Sequence, residues 1–167
     1  IRAGDEGAID FDVGVLPVLG SSVLFVADDA VNGPALWISN GTSAGTTLVK
    51  KIGEGGPLLS ENYFAVLGSQ LLFSADDDTS GLELWKTDGT PAGTGLVKDI
   101  AAGTDASEPN LLFACNGKLY FTAYDSVNGK ELWMSDGTTA GTQLVKDIKS
   151  GDQTSEPQSF AVFAGAF

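Results

Sequence analysis

Histidine is absent from this 167-residue chain, and cysteine occurs once, as Cys115. A Ser-His-Asp or Cys-His nucleophile needs an imidazole base, and histidine-ligated metal needs the same ring, so the chain taken alone supports neither. A single thiol also excludes an internal disulfide and a multi-cysteine zinc site. Positive charge is scarce: 9 Lys+Arg stand against 22 Asp+Glu, a formal charge of -13. Such a surface repels phosphate backbones, and nucleic acid is not an expected partner. No apolar run approaches the roughly 20 residues that cross a bilayer as a helix. Sustained 3.6-residue periodicity is missing too, which removes helical solenoids.

What the chain has in quantity is glycine, 22 residues of it, set among 43% hydrophobic residues. That mixture predicts short strands joined by tight turns, in one domain large enough to bury a core. Internal repetition organises the pattern. Trp37, Trp85 and Trp133 recur at a spacing of 48 residues without gaps. Around them stand Ala35-Leu36-Trp37-Ile38-Ser39-Asn40-Gly41-Thr42, Glu83-Leu84-Trp85-Lys86-Thr87-Asp88-Gly89-Thr90 and Glu131-Leu132-Trp133-Met134-Ser135-Asp136-Gly137-Thr138. Each is followed by Ala-Gly-Thr and then by Leu-Val-Lys, at Leu48 to Lys50, Leu96 to Lys98 and Leu144 to Lys146.

Each unit predicts four short strands. Phe64 and Val66, with Leu16 and Val18 in the unit before, alternate as in a half-buried first strand. The second strand, Val23 to Ala27, Leu71 to Ala75 and Leu119 to Ala123, carries successive large apolar residues, so both of its faces should be covered and it should lie inside the sheet. A polar turn leads to the tryptophan strand, and an Asn-Gly or Asp-Gly hairpin reverses the chain into Leu-Val-Lys. Four antiparallel strands in a repeat of this length predict an all-β chain of β-propeller-type blades, whose repeats run about 40 to 50 residues. The alternative is a β-trefoil, which also uses three four-stranded units. The expected organisation is one repeat domain over 1-167, with units at about 12-59, 60-107 and 108-155. Ile1, matched to Ile52, Ile100 and Ile148, and Phe160 with Val162, matched to Phe64 and Val66, predict partial units at 1-11 and 156-167. An open set of blades exposes two apolar faces, so further repeats or other copies of the chain are the expected partners.

The octapeptides at Glu83 and Glu131 resemble the signature of a bacterial tandem-repeat family named for the motif ELWxxDGT. The unit at Ala35 departs from it at two positions, with Ala35 for Glu and Asn40 for Asp. The resemblance covers almost the whole chain and implies a part of a large secreted or cell-surface protein without a defined enzymatic activity. The hairpin from Ser135 to Thr142 is also similar to the Asp-box turn of sialidase-type propellers, with a different spacing; that resemblance implies a fold element away from catalysis.

Several residues invite a sharper chemical reading. The tryptophans have the flat face that stacks on a pyranose, but each lies between apolar neighbours in a strand, and filling space between sheets explains it more fully. Asp88 and Asp136 suit a tight turn and have no identifiable acid, base or nucleophile beside them. The run Asp76-Asp77-Asp78, followed by Glu83, is the one place dense enough in oxygen ligands to suggest Ca²⁺, although its spacing is not that of an EF-hand and a solvated acidic turn is the simpler reading. Cys115 replaces Leu19 and Leu67 of the other units and is expected to act as a small buried hydrophobe. Lys50, Lys98 and Lys146 recur in register and are expected on an exposed outer strand, where lysine resists edge pairing.

Together these features predict a non-enzymatic, secreted or cell-surface module for adhesion, assembly or protein interaction, with a carbohydrate-binding module as the alternative and no cofactor beyond the candidate calcium. If the tryptophans are core, Trp85→Ala should cost about 3 to 5 kcal/mol in chemical denaturation. Unchanged stability would remove Trp85 from the core.

Overall fold

A computed structural model describes residues 16-60 and 62-160. The expected partial unit at 1-11, with Ile1, and the expected strand position Val162 lie outside the described residues. The described residues are all-β, without a helix, and their strands form three antiparallel sheets. The first sheet is β1 (Val18–Leu19), β2 (Ser22–Asp28), β3 (Pro34–Ser39) and β4 (Thr46–Lys50), ordered as in the sequence. The second contains β5 (Pro57–Leu58), β6 (Phe64–Leu67), β7 (Gln70–Asp76), β8 (Leu82–Thr87) and β9 (Gly95–Lys98). The third is β10 (Asn110–Cys115), β11 (Lys118–Asp125), β12 (Gly129–Ser135) and β13 (Gln143–Lys146), again in sequence order.

Register repeats as strictly as sequence. Phe25 faces Trp37, Phe73 faces Trp85 and Phe121 faces Trp133 across the central strand pairs. The runs of successive apolar residues occupy β2, β7 and β11, each paired on both sides as expected. In every unit the pairing shifts beside the tryptophan: Leu36 opposes Lys50 but Trp37 opposes Leu48, and likewise in the other two. The extra residue of this bulge is the middle one of Leu-Val-Lys, and the local kink turns Val49 and Val97 into the core.

One element departs from the four-strand expectation. In the second sheet β5, from the end of the first unit, and β6 both pair with β7. Ser74 N–H donates to the carbonyl of Tyr63 between them, so the edge of β7 stays hydrogen-bonded across the interruption.

Two apolar clusters lie between sheets. One joins Leu24, Leu36, Val49 and Ile52 of the first unit to Leu71, Phe73, Ala75 and Trp85 of the second. The other joins Leu72, Leu84, Val97 and Ile100 to Leu119, Phe121, Ala123 and Trp133. Alternate residues of β7 point to opposite faces, so Leu71 and Phe73 serve one cluster and Leu72 the other.

The signature glutamate belongs to this architecture. Glu83 is fully buried, and its carboxylate accepts from Ile100 N–H (3.1 Å), Ala101 N–H (3.0 Å), Ser107 N–H (3.2 Å) and Ser107 Oγ (2.6 Å). It thus pins the connection from β9 to β10 onto β8. Glu131 repeats the arrangement, accepting from Lys149 N–H and from Ser155 Oγ. In the first unit the two positions hold Ala35, fully buried, and Leu59, packed against the first cluster. A polar pair has been replaced as a pair by an apolar one, which avoids the cost of leaving one partner buried and unsatisfied. Glu83→Ala alone should therefore cost about 3 kcal/mol or more, while Glu83→Ala combined with Ser107→Leu should recover at least ~1 kcal/mol relative to the sum of the two single changes. Additive effects in the denaturation cycle would contradict the pairing.

Candidate functional site

Glu83, grouped with the three aspartates as a candidate calcium ligand, has its carboxylate bonded to the loop at 100-107. The aspartates themselves shape their own turn. Asp76 Oδ1 accepts from Asp78 N–H (2.8 Å), and Asp77 Oδ1 accepts from Thr79 N–H, Thr79 Oγ1 and Ser80 N–H. Those donors hold the Asp77 carboxyl below its ordinary range, against the opposing push of burial. Asp78 Oδ2 accepts from Glu54 N–H and so ties the turn to the preceding connection. Among the described residues no group of three or more Asp, Glu or Cys side chains is placed to hold a metal ion.

The Asp-Gly-Thr hairpins are closed hydrogen-bond circuits. Asp136 Oδ1 accepts from Thr138 N–H (3.0 Å) and Thr138 Oγ1 (2.6 Å), Thr138 Oγ1 accepts from Gly141 N–H (3.0 Å), and Thr142 Oγ1 donates to the Thr138 carbonyl (2.7 Å). Asp88 makes the same bonds to Thr90, and Asn40 to Thr42. The glycine of Ala-Gly-Thr is needed for space: a Cβ on Gly141 would stand 2.0 Å from Asp136 Oδ1. The carboxylates are therefore occupied by the turn, as the sequence reading expected.

The tryptophans and lysines meet in a way the sequence reading did not foresee. Lys50 and Lys98 stand on the outer strands β4 and β9 as expected, but they are half-buried between units and not exposed; Lys146 on β13 is exposed. Lys50 Nζ donates to the carbonyl of Thr94 (2.9 Å) and lies 5.8 Å from the centroid of the Trp85 ring. Lys98 Nζ donates to the carbonyl of Thr142 (2.9 Å) and lies 5.6 Å from the Trp133 ring. The bulge that turns Val49 inward also aims the next residue at the neighbouring sheet. Trp85 and Trp133 are buried and Trp37 is half-buried; all three indole N–H groups are buried without a hydrogen-bond partner. The covered rings of Trp85 and Trp133 are not free platforms for a sugar. Cys115, expected to be buried, is half-buried in β10.

A polar groove of about 540 Å³ was not anticipated from sequence. Asn62, Asn110 and Gln158 line it, and they occupy one position of three successive repeats. Thr122, Lys130, Glu156 and Ser159 add further polar groups to its lining, with Lys130 Nζ 3.3 Å from Glu108 Oε2. Leu111 and Ser159, one repeat apart, both adopt left-handed backbone in its lining, at φ 55° and 60°. Non-glycine residues in that region store of order 1 kcal/mol each and concentrate where a loop is held in a set shape. The readable signal was the amide recurring at the repeat spacing. In chemical terms the groove offers hydrogen-bond donors and acceptors for a polar ligand, with no aromatic ring among its described lining residues.

Compared with protein-family models and with curated proteins, the chain matches none.

Asp29, Asp77 and Asp88 are held below the ordinary carboxyl range, and so, in the hairpin from Ser135 to Thr142, is Asp136. Its carboxyl is held down to about 2 from an ordinary 3.8, first by the Thr138 hydroxyl, then by Thr138 N–H, with Lys118 adding to the effect. The folded-state value is the lower one, so the contribution is present above about pH 3.8 and lost as pH falls towards 2. Burial pushes Glu83 the other way, against its four donors, so its share falls as pH rises. The thermal midpoint should drop between about pH 4 and 2, and Asp136→Asn, which copies Asn40, should fold normally and flatten that drop. An unaltered acid slope in the variant would remove Asp136 as its source.

Proposed function

We propose that this chain is a non-enzymatic repeat module of an extracellular or cell-surface protein, built as propeller blades and serving adhesion, assembly or protein interaction. The observation that carries the reading is the repeated inter-sheet face. The Lys-Trp contacts cross from one unit to the next, and the Glu83 clamp fixes the connection that leads into the following sheet, while the Asp-Gly-Thr circuits shape each hairpin. The three separate antiparallel sheets support blades over a trefoil, whose barrel would draw strands from every unit. The likeness of the octapeptides at Glu83 and Glu131 to the ELWxxDGT signature supports the surface setting.

The groove favours a second reading, carbohydrate binding, because three amides from one repeat position converge there beside the Thr122 and Ser159 hydroxyls. A glycan array with the full chain separates the two. The module reading expects no sugar class bound; robust binding of one class that is lost in Asn110→Ala or Lys130→Ala would establish the lectin. Turnover of any substrate that disappears with one Asp or Glu substitution would overturn both.

A further inference from the structure

The two internal interfaces define a pair of complementary faces, and among the described residues each face recurs once more, less covered, on the first and third units. On the side of a unit that meets the next unit, Val49 and Val97 are 4% and 2% exposed, and Ile52 and Ile100 are 2% and 8% exposed. The equivalent residues of the third unit, Val145 and Ile148, are 45% and 60% exposed. Lys146, the equivalent of the half-buried Lys50 and Lys98, is exposed as well. On the other side, Phe73 and Phe121 are fully buried beneath a preceding unit, as are Ala75 and Ala123, whereas their first-unit equivalents Phe25 and Ala27 are half-buried. Trp37 shows the same difference from Trp85 and Trp133.

We propose that the third-unit face of one molecule docks head to tail on the first-unit face of a second copy, by the contacts already used between units. This deepens the assembly reading above and rests on it. By repeat equivalence, Lys146 Nζ donates to the carbonyl of Thr46 in the second copy and covers its Trp37 ring, as Lys50 does to Thr94 and Trp85. The second copy also supplies Ser43 at the rim. Its equivalent Thr139 donates from Oγ1 to the carbonyl of Val97 (2.7 Å), whereas the residue at that place in the middle unit is Pro91, which has no hydroxyl. Ser43 therefore restores a donor towards the carbonyl of Val145. A new copy thus meets apolar surface with apolar surface and a lysine with a carbonyl and an indole face. Because the two faces differ, the contact is heterologous and propagates, closing a ring or extending a filament according to the rotation per copy.

Sedimentation of the full chain over a range of concentrations tests the proposal. The expected result is concentration-dependent mass above the 17.2 kDa monomer. Ile148→Asp, at an exposed position that leaves folding intact, should weaken association at least about tenfold, equivalent to ~1.4 kcal/mol. Ser43→Arg, on the opposite face, should do the same. Mixing the two variants should give a heterodimer and nothing larger, since each retains one good face. A folded monomer at every concentration, or assembly indifferent to Ile148→Asp, would overturn the docking. A monomer that binds no sugar and turns over no substrate would leave the module reading standing, while catalytic turnover would sink that reading without touching assembly.

Discussion

Burial of one sheet's tryptophan face beneath the preceding sheet is the interaction on which the rest of this structure depends. A single four-stranded antiparallel sheet has two faces to cover and too little of its own chain to cover them. Here Leu24 and Leu36 from one unit close over Phe73 and Trp85 of the next, and the pattern repeats one unit on. The lysine bond and its position over the indole add direction to a contact that apolar burial alone would leave free to slide. Inside such an interface, a lysine that kept only its charge would be costly; the carbonyl and the ring face give that charge partners.

Local devices serve the same end. The bulge beside each tryptophan brings valine and lysine of Leu-Val-Lys into use on the neighbouring sheet, so a two-residue sequence feature becomes an inter-unit contact. The glutamate clamp fixes the connection that leads into the following sheet, and the first unit shows that an alanine and a leucine can take its place when both change together. The Asp-Gly-Thr circuits give each hairpin its shape without help from other units, and Asn40 performs the same task without a charge.

Much of this was legible in the residues because the repeat compares three solutions to one problem within a single chain. The inner position of β2, β7 and β11 followed from successive apolar residues, and the hairpins followed from Asp-Gly and Asn-Gly. The inward lysines were not legible, because the bulge that aims them depends on strand register and not on residue type. Glu83 was misplaced for a related reason: proximity in sequence to three aspartates suggested a shared site, while alternation along β8 turned its side chain to another partner. The groove was hidden because Asn62, Asn110 and Gln158 are far apart in sequence and meet only through the arrangement of the units.

If stability resides in the two inter-sheet interfaces, the middle sheet should be the last part of the molecule to open, since it alone among the three shares both clusters. Native-state hydrogen exchange measures this directly. The slowest amides should lie in β7 and β8, with β2, β3, β11 and β12 exchanging sooner. Equal protection in all three sheets, or slowest exchange in the first or third, would contradict the account.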